Sequence, residues 1–252
     1  MVETKDFLIH PPQGLNPEQR FIFEGIGYSI QGIEIAFKRL EKGSLNFIKD
    51  STEITDQDRT ELFLDVWSII DRADALIQLI TREEARFSTS VTKQFILDHS
   101  AARNLRNYMD HLAGNISNIV NSKKRWPPIY GALSFVSAHP NEKGEIEEAV
   151  VILVTSGSFK DKSTLPVVNP AGRELKIPVG LFQISAFDQT LYISKLYEDV
   201  KKIREFFESK IAPSARKMIT EEATKKGVDI EEALSPSMEG LHVMMKVKFN
   251  SD

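Results

Sequence analysis

Cysteine is missing from this chain of 252 residues. Its absence excludes a disulfide framework, zinc sites built from thiolates and catalysis by a cysteine nucleophile. A metal would have to be held by histidine, aspartate or glutamate, and His99 next to Asp98 has no second histidine at a ligand spacing. We therefore expect neither a metal nor another cofactor.

Long apolar runs are missing as well. No stretch approaches the roughly 18 to 20 apolar residues that a membrane-spanning helix needs. The N-terminus carries Glu3 and Asp6 where a secretory signal would be basic and then apolar. The expectation is a cytoplasmic protein with no membrane partner.

A general excess of basic residues is also absent, because the formal net charge is -4. That balance argues against a chain coated with positive charge for nucleic acid. Residues 91 to 126 depart from it, since six basic side chains against two acidic ones give +4 there. The eight residues are Lys93, Arg103, Arg106, Lys123, Lys124, Arg125, Asp98 and Asp110.

The first half of the chain has the periodicity of long helices. Apolar residues recur at spacings of three and four over about 17 to 42, 55 to 86 and 90 to 122, which predicts three amphipathic helices. Asn16 before Pro17, and Thr55 three residues before Asp58, are typical of helix N-termini. Three long helices with matching apolar stripes favour an antiparallel bundle.

The second half begins at Trp126-Pro127-Pro128, where consecutive prolines end the third helix. Alternating residues over 129 to 138 and 146 to 155 predict a hairpin, and a further strand is expected within 175 to 187, interrupted at Pro178. Helices over about 190 to 211 and 213 to 226, separated at Ala212-Pro213, and a final strand over 241 to 249 complete the chain. The predicted class is α+β, with an N-terminal antiparallel helical bundle at 16–125 and a mainly antiparallel sheet covered by C-terminal helices at 126–252.

The third expected helix carries Arg106-Asn107-x-x-x-His111. This motif resembles the arginine, polar residue, three-residue gap and histidine of the HEPN superfamily, helical-bundle proteins of which many are metal-independent ribonucleases. The resemblance covers residues 16 to 125 at most. It implies a ribonuclease or RNA-binding protein of a toxin or defence type, in which Arg106 binds the scissile phosphate, Asn107 orients the site and His111 is a general acid or base.

The chemistry fits these residue types, because guanidinium binds phosphate in a bidentate manner and histidine titrates near neutral pH. RNA is then the expected partner, with basic residues near the motif as candidate contacts. Those candidates are Arg103, Lys123, Lys124 and Arg125.

The spacing of the motif predicts a homodimer. Arg106 and His111 diverge by about 140° on an ideal helix, whereas residues four apart are neighbours. Either the helix is locally distorted, or two subunits pool their residues across a twofold axis. A stripe of small residues on the first helix offers a surface for close packing, and it consists of Gly25, Ser29, Gly32 and Ala36.

The alternative is a non-catalytic, dimeric interaction module that binds a protein or a small ligand. In that hypothesis the motif residues belong to an ordinary solvated helix face. His99 is expected at the surface or as a cap, and Asp71 and Asp74 are expected on a solvated face beside Arg72.

Overall fold

The computed structural model describes residues 6–49, 55–83, 87–123, 128–139, 141, 146, 148–157 and 166–236. Its class is α+β, as predicted, with helices, an antiparallel sheet and then further helices. The helices are α1 Pro17–Lys49, α2 Asp56–Arg82, α3 Ser90–Asp98, α4 Ser100–Asp110, α5 Leu112–Lys123, α6 Ile193–Phe206, α7 Ala212–Lys226 and α8 Ile230–Leu234. The strands are β1 Ala132–His139, β2 Glu148–Thr155, β3 Val179–Ala186 and β4 Gln189–Tyr192.

Helices α1 and α2 confirm the predictions made from their periodicity and caps. The side chain of Asn16 accepts a hydrogen bond from the Gln19 N–H at 2.9 Å, and the side chain of Thr55 accepts one from the Asp58 N–H at 3.1 Å. Both caps satisfy amide groups that the first turn leaves without a helical partner. The apolar stripes of both helices are buried, as shown by Ile26, Ile30, Ile33, Val66, Ile69 and Leu76 at 0 % exposure.

The expected third helix is not continuous, and this prediction is wrong. It is broken at His99, with φ of −114° and ψ of 15°, and at His111, with φ of −103° and ψ of 13°. These angles lie in the bridge region between helix and strand. Its apolar stripe is buried only as far as Leu105, whereas Ile116 on α5 is 51 % exposed.

The four strands of the described chain form an antiparallel sheet in the order β2-β1-β3-β4. The predicted hairpin is confirmed, with Ala132 of β1 opposite Thr155 of β2. Strand β3 starts directly after Pro178. The helix expected from about residue 190 starts at Ile193, because residues 189 to 192 pair with β3 instead. The predicted strand at 241–249 lies outside the described residues.

The helices are joined to the sheet by an aromatic core. Phe37 of α1 stacks on Tyr197 of α6 at 4.0 Å between ring centroids and meets Phe182 of β3 edge-on at 5.7 Å. Phe135 of β1 lies 5.5 Å from the same Phe182 ring. Such ring pairs stabilise the fold beyond what the burial of their apolar area contributes. Helix α6 therefore covers the sheet, as the sequence predicted of its C-terminal helices.

Contacts group the chain into two compact units. One is Gly25–Phe207, and the other combines Met1–Glu24 with Glu208–Asp252. The boundary expected at residues 125 and 126 falls inside the first of these units, in which Phe37 packs on Phe182. In the other unit, the Gly14 N–H donates to the carbonyl of Ala233 at 2.8 Å. No helix among the described residues is long and apolar enough to cross a membrane.

A π-helical turn, Phe207–Ile211, lies directly before Ala212-Pro213, where the sequence predicted a break between helices. Proline has no N–H and its ring clashes with the carbonyl four residues earlier. A wider turn before Pro213 accommodates that missing hydrogen bond, so helical structure continues where the sequence predicted an interruption.

Candidate nucleic-acid interface

Helix α4 presents the motif because its two faces differ in polarity. Ala102 and Leu105 are buried at 0 % exposure, and the helix packs against α2. Arg103 and Asn107 lie on the opposite side and are exposed. This division is the one expected of an amphipathic helix at the surface.

Arg106 is held in place by two carboxylates. Its Nε lies 2.7 Å from Asp71 Oδ1 on α2, and its Nη1 contacts Asp110 one turn further along α4. The Arg106 side chain remains 33 % exposed. Such exposed ion pairs contribute only about 0 to 1 kcal/mol each, so a phosphate competes with these carboxylates at modest cost.

A groove of about 960 Å3 lies beside Arg106, along α2. Arg72, Arg82 and Arg106 line it together with Asp71 and Asp74. The expectation that Asp74 is solvated is wrong, since this residue is 6 % exposed. Its Oδ2 accepts a hydrogen bond from the Gln78 side chain at 2.7 Å, whereas its buried Oδ1 has no hydrogen-bonding partner in the described chain.

Three aromatic side chains continue the surface from that groove. Tyr108, next to Asn107 in the motif, is 45 % exposed and stacks on Phe187 at 5.5 Å with an interplanar angle of 18°. Phe187 lies 6.4 Å from Trp67, which also lines the groove. We call Tyr108, Phe187 and Trp67 the aromatic platform. Its three rings come from three separate parts of the chain, namely α4, the turn between β3 and β4, and α2.

The hairpin between β3 and β4 positions Phe187. Its two turn residues, Phe187 and Asp188, have φ of 49° and 60°, the left-handed region used by two-residue hairpin turns. Bulky residues adopt this region at a cost of roughly 1 to 3 kcal/mol and persist there only when their surroundings hold them. The Phe187 stack with Tyr108 is such a restraint.

The motif residues do not converge on one cleft within the chain. Arg106 lines the groove, but His111, exposed at the C-terminal end of α4, does not. Asn107 is exposed beside it. Of the candidate RNA contacts, Arg103 is exposed and Lys123 ends α5, while Lys124 and Arg125 lie outside the described residues.

The small-residue stripe of α1 is covered by side chains of α2. A Cβ on Gly25 would lie 2.9 Å from Leu79, and one on Gly32 would lie 3.2 Å from Arg72. Ser29 between them is 3 % exposed. The stripe therefore makes room for a neighbouring helix of the same chain and does not offer a surface to a second subunit.

His99 is buried at 1 % exposure, so the expected surface position is wrong. The alternative of a cap is met, since His99 is the residue between α3 and α4 and its N–H donates to the carbonyl of Phe95. Its Nε2 lies 3.0 Å from Asp199 Oδ2, and burial lowers the pKa of His99. Burial raises the pKa of Asp199, but hydrogen bonds from Lys195, Lys202 and His99 outweigh that effect and lower it to about 2. Among the described residues no group of three histidine and acidic side chains is placed to hold a metal.

The aromatic platform was missed from the sequence. Tyr108 lies off the apolar stripe within the motif, which marked it as exposed. Nothing local to Trp67 or Phe187 indicated that Phe187 contacts both Trp67 and Tyr108, because these two contacts depend on the tertiary fold.

Comparisons of the chain with protein-family models, with curated proteins and with solved structures found no match.

Proposed function

We propose that the protein binds single-stranded RNA in the cytoplasm, along the arginine-lined groove and the adjoining aromatic platform. The observation that carries this proposal is the stack of exposed Tyr108 on Phe187, which is joined through Trp67 to the groove beside Arg106. Exposed aromatic rings stack unpaired bases, while neighbouring arginines contact the phosphates.

The charge of the groove predicts a modest electrostatic contribution to the affinity for RNA. Arg72, Arg82 and Arg106 contact up to three phosphates, which predicts a slope of about −2 for log affinity against log salt on a single strand.

Cleavage is the stronger form of this proposal, and the HEPN resemblance of Arg106, Asn107 and His111 supports it. A base takes the proton of the 2′-hydroxyl, a cation stabilises the charge on the phosphorane, and an acid protonates the leaving oxygen. Because His111 does not line the Arg106 groove, the reaction requires His111 of a second subunit. Sedimentation of a homodimer supports this arrangement, and a monomer at cleaving concentrations contradicts it.

Binding is tested by the fluorescence anisotropy of a labelled single-stranded RNA. Losing one stacked base costs roughly 1 to 3 kcal/mol, so Tyr108→Ala should weaken binding about five- to 150-fold, with Tyr108→Phe near wild type. Tyr28→Ala is the matched control, since Tyr28 is 57 % exposed on α1. Equal affinity of Tyr108→Ala and Tyr28→Ala overturns the proposal.

Cleavage is tested with a chelator present. Wild type and His10→Ala should cut the RNA, whereas Arg106→Ala and His111→Ala should not. His111→Ala should retain RNA binding. Equal cutting by all four proteins dismisses the catalytic assignment, and the absence of cutting by wild type restricts the function to binding.

A further inference from the structure

We propose a second ligand site in the unit Gly25–Phe207, a cavity of about 770 Å3 that takes an organic carboxylic acid with an apolar body. The cavity lies between α3, α6 and the start of β3. Its volume is within the range of pockets that enclose small organic molecules. The site shares no lining residue with the groove beside Arg106, so this proposal is independent of RNA binding.

The interior of the cavity is largely apolar. Phe95 of α3, Phe182 of β3 and Ile203 of α6 lie in its walls but are at most 3 % exposed. A ligand therefore meets mainly the partly exposed Leu181 and Tyr192. Val91, 40 % exposed, lies in the lining at the start of α3. An apolar ligand body gains free energy when it leaves water for such walls.

Strained backbone borders the same cavity. Leu181 has φ of 54° inside β3, where the pairing of β1 with β3 shifts register. A residue with a side chain adopts this conformation at a cost of roughly 1 to 3 kcal/mol, and such outliers cluster at ligand sites. The irregularity places Leu181 in the cavity lining, half-exposed.

The charged groups of the lining are mostly matched to one another. Lys195 Nζ lies 2.6 Å from both Asp98 and Asp199, and Lys202 Nζ lies 2.7 Å from Asp199. Lys176 Nζ lies 3.1 Å from Glu198. These three lysines are neutralised within the chain and leave little net charge for a ligand.

Arg173 is the lining cation with no carboxylate partner in the described part of the chain. Its guanidinium lies over the Tyr192 ring, 4.4 Å from the centroid, which holds the planar donor group at the cavity rim. A guanidinium in this setting recognises a carboxylate through two parallel hydrogen bonds. Glu174 also lines the cavity, but no contact among the described residues fixes its side chain.

Calorimetric titration tests the site with four probes: decanoate, decanol, decylamine and acetate. Decanoate should bind saturably and more tightly than the other three, because it alone combines the apolar body with the anionic head. Arg173→Ala should weaken decanoate binding about tenfold, the value of one charge-assisted contact. Val91→Asp should weaken it at least as much, because it adds a carboxylate to the lining.

Two control variants make the same kinds of charge change away from the cavity. Arg103→Ala removes an exposed arginine of α4, and Val228→Asp adds a carboxylate at a position 47 % exposed in the other unit. Both should bind decanoate like wild type, and Arg173→Ala should bind RNA like wild type. Equal binding of decanol or decylamine, an unchanged Arg173→Ala titration, or no saturable binding of decanoate overturns the proposal.

Discussion

His99 on the α3–α4 junction is joined to Asp199 of α6 by a hydrogen bond of 3.0 Å across 100 positions of sequence. The imidazole is buried and its Nε2 donates to a carboxylate that stays ionised, because the pKa of Asp199 is about 2. This bond ties the first break in the predicted third helix to the C-terminal half of the chain.

The lowered pKa of His99 predicts a loss of stability in mild acid. Below the ordinary histidine pKa of about 6.5, the unfolded chain binds a proton that folded His99 resists, so the free energy of unfolding falls by at most about 1.4 kcal/mol per pH unit. Asp199 also stabilises the fold, because its pKa is lowered from 3.8 to about 2. This contribution is lost only in stronger acid, as the pH falls from about 3.8 towards about 2. Urea unfolding at pH 7.5 and 5.0 should show a smaller difference for His99→Gln than for wild type or His10→Ala. An unchanged difference in His99→Gln contradicts the assignment.

Asp71→Asn should strengthen RNA binding. It removes the carboxylate 2.7 Å from Arg106 Nε and leaves the guanidinium more available to phosphate. Since an exposed pair contributes up to about 1 kcal/mol, the expected gain is roughly two- to fivefold in anisotropy titrations. Asp56→Asn is the control variant, because it changes the net charge by the same amount at a residue that is 97 % exposed and paired with Arg59. Weaker binding by Asp71→Asn, or equal gains in both variants, shows that Arg106 does not contact RNA.

Gly14→Ala should destabilise the unit that contains both termini. The added Cβ would lie 2.5 Å from Ile219 Cγ2 and 2.9 Å from the carbonyl oxygen of Ala233. Overpacking of this kind costs roughly 1 to 3 kcal/mol in urea unfolding. Gly114→Ala on α5 meets no atom within 4 Å and should stabilise by up to about 1 kcal/mol. Equal unfolding free energies for the two variants contradict this packing.

The sequence predicted the parts of the fold that depend on local signals. The caps at Asn16 and Thr55 and the apolar period of α1 and α2 are each contained in one segment. The break at His99 is accompanied by a partner that no local pattern identifies, Asp199. The helical period from about residue 190 does not indicate β4, because residues 189 to 192 pair with β3 across the Phe187-Asp188 turn and the helix starts only after them.

The candidate site was predicted in part. Polarity and spacing placed Arg106, Asn107 and His111 on the outer face of a helix, and the contact of Arg106 with Asp110 is of the kind that residues four apart on a helix make. The pairing of Arg106 with Asp71 and the approach of Phe187 to Tyr108 join separate elements. Such contacts follow from packing and had no local pattern to indicate them.

The central claim is that single-stranded RNA stacks on the aromatic platform. Photocrosslinking with an oligoribonucleotide containing 4-thiouridine, followed by mass spectrometry of the adducts, tests it most directly. We expect adducts on peptides that contain Tyr108, Phe187 or Trp67, and their loss in excess unlabelled RNA. Adducts confined to other peptides, such as the one with exposed Tyr28, or no specific crosslink at all, would contradict the account.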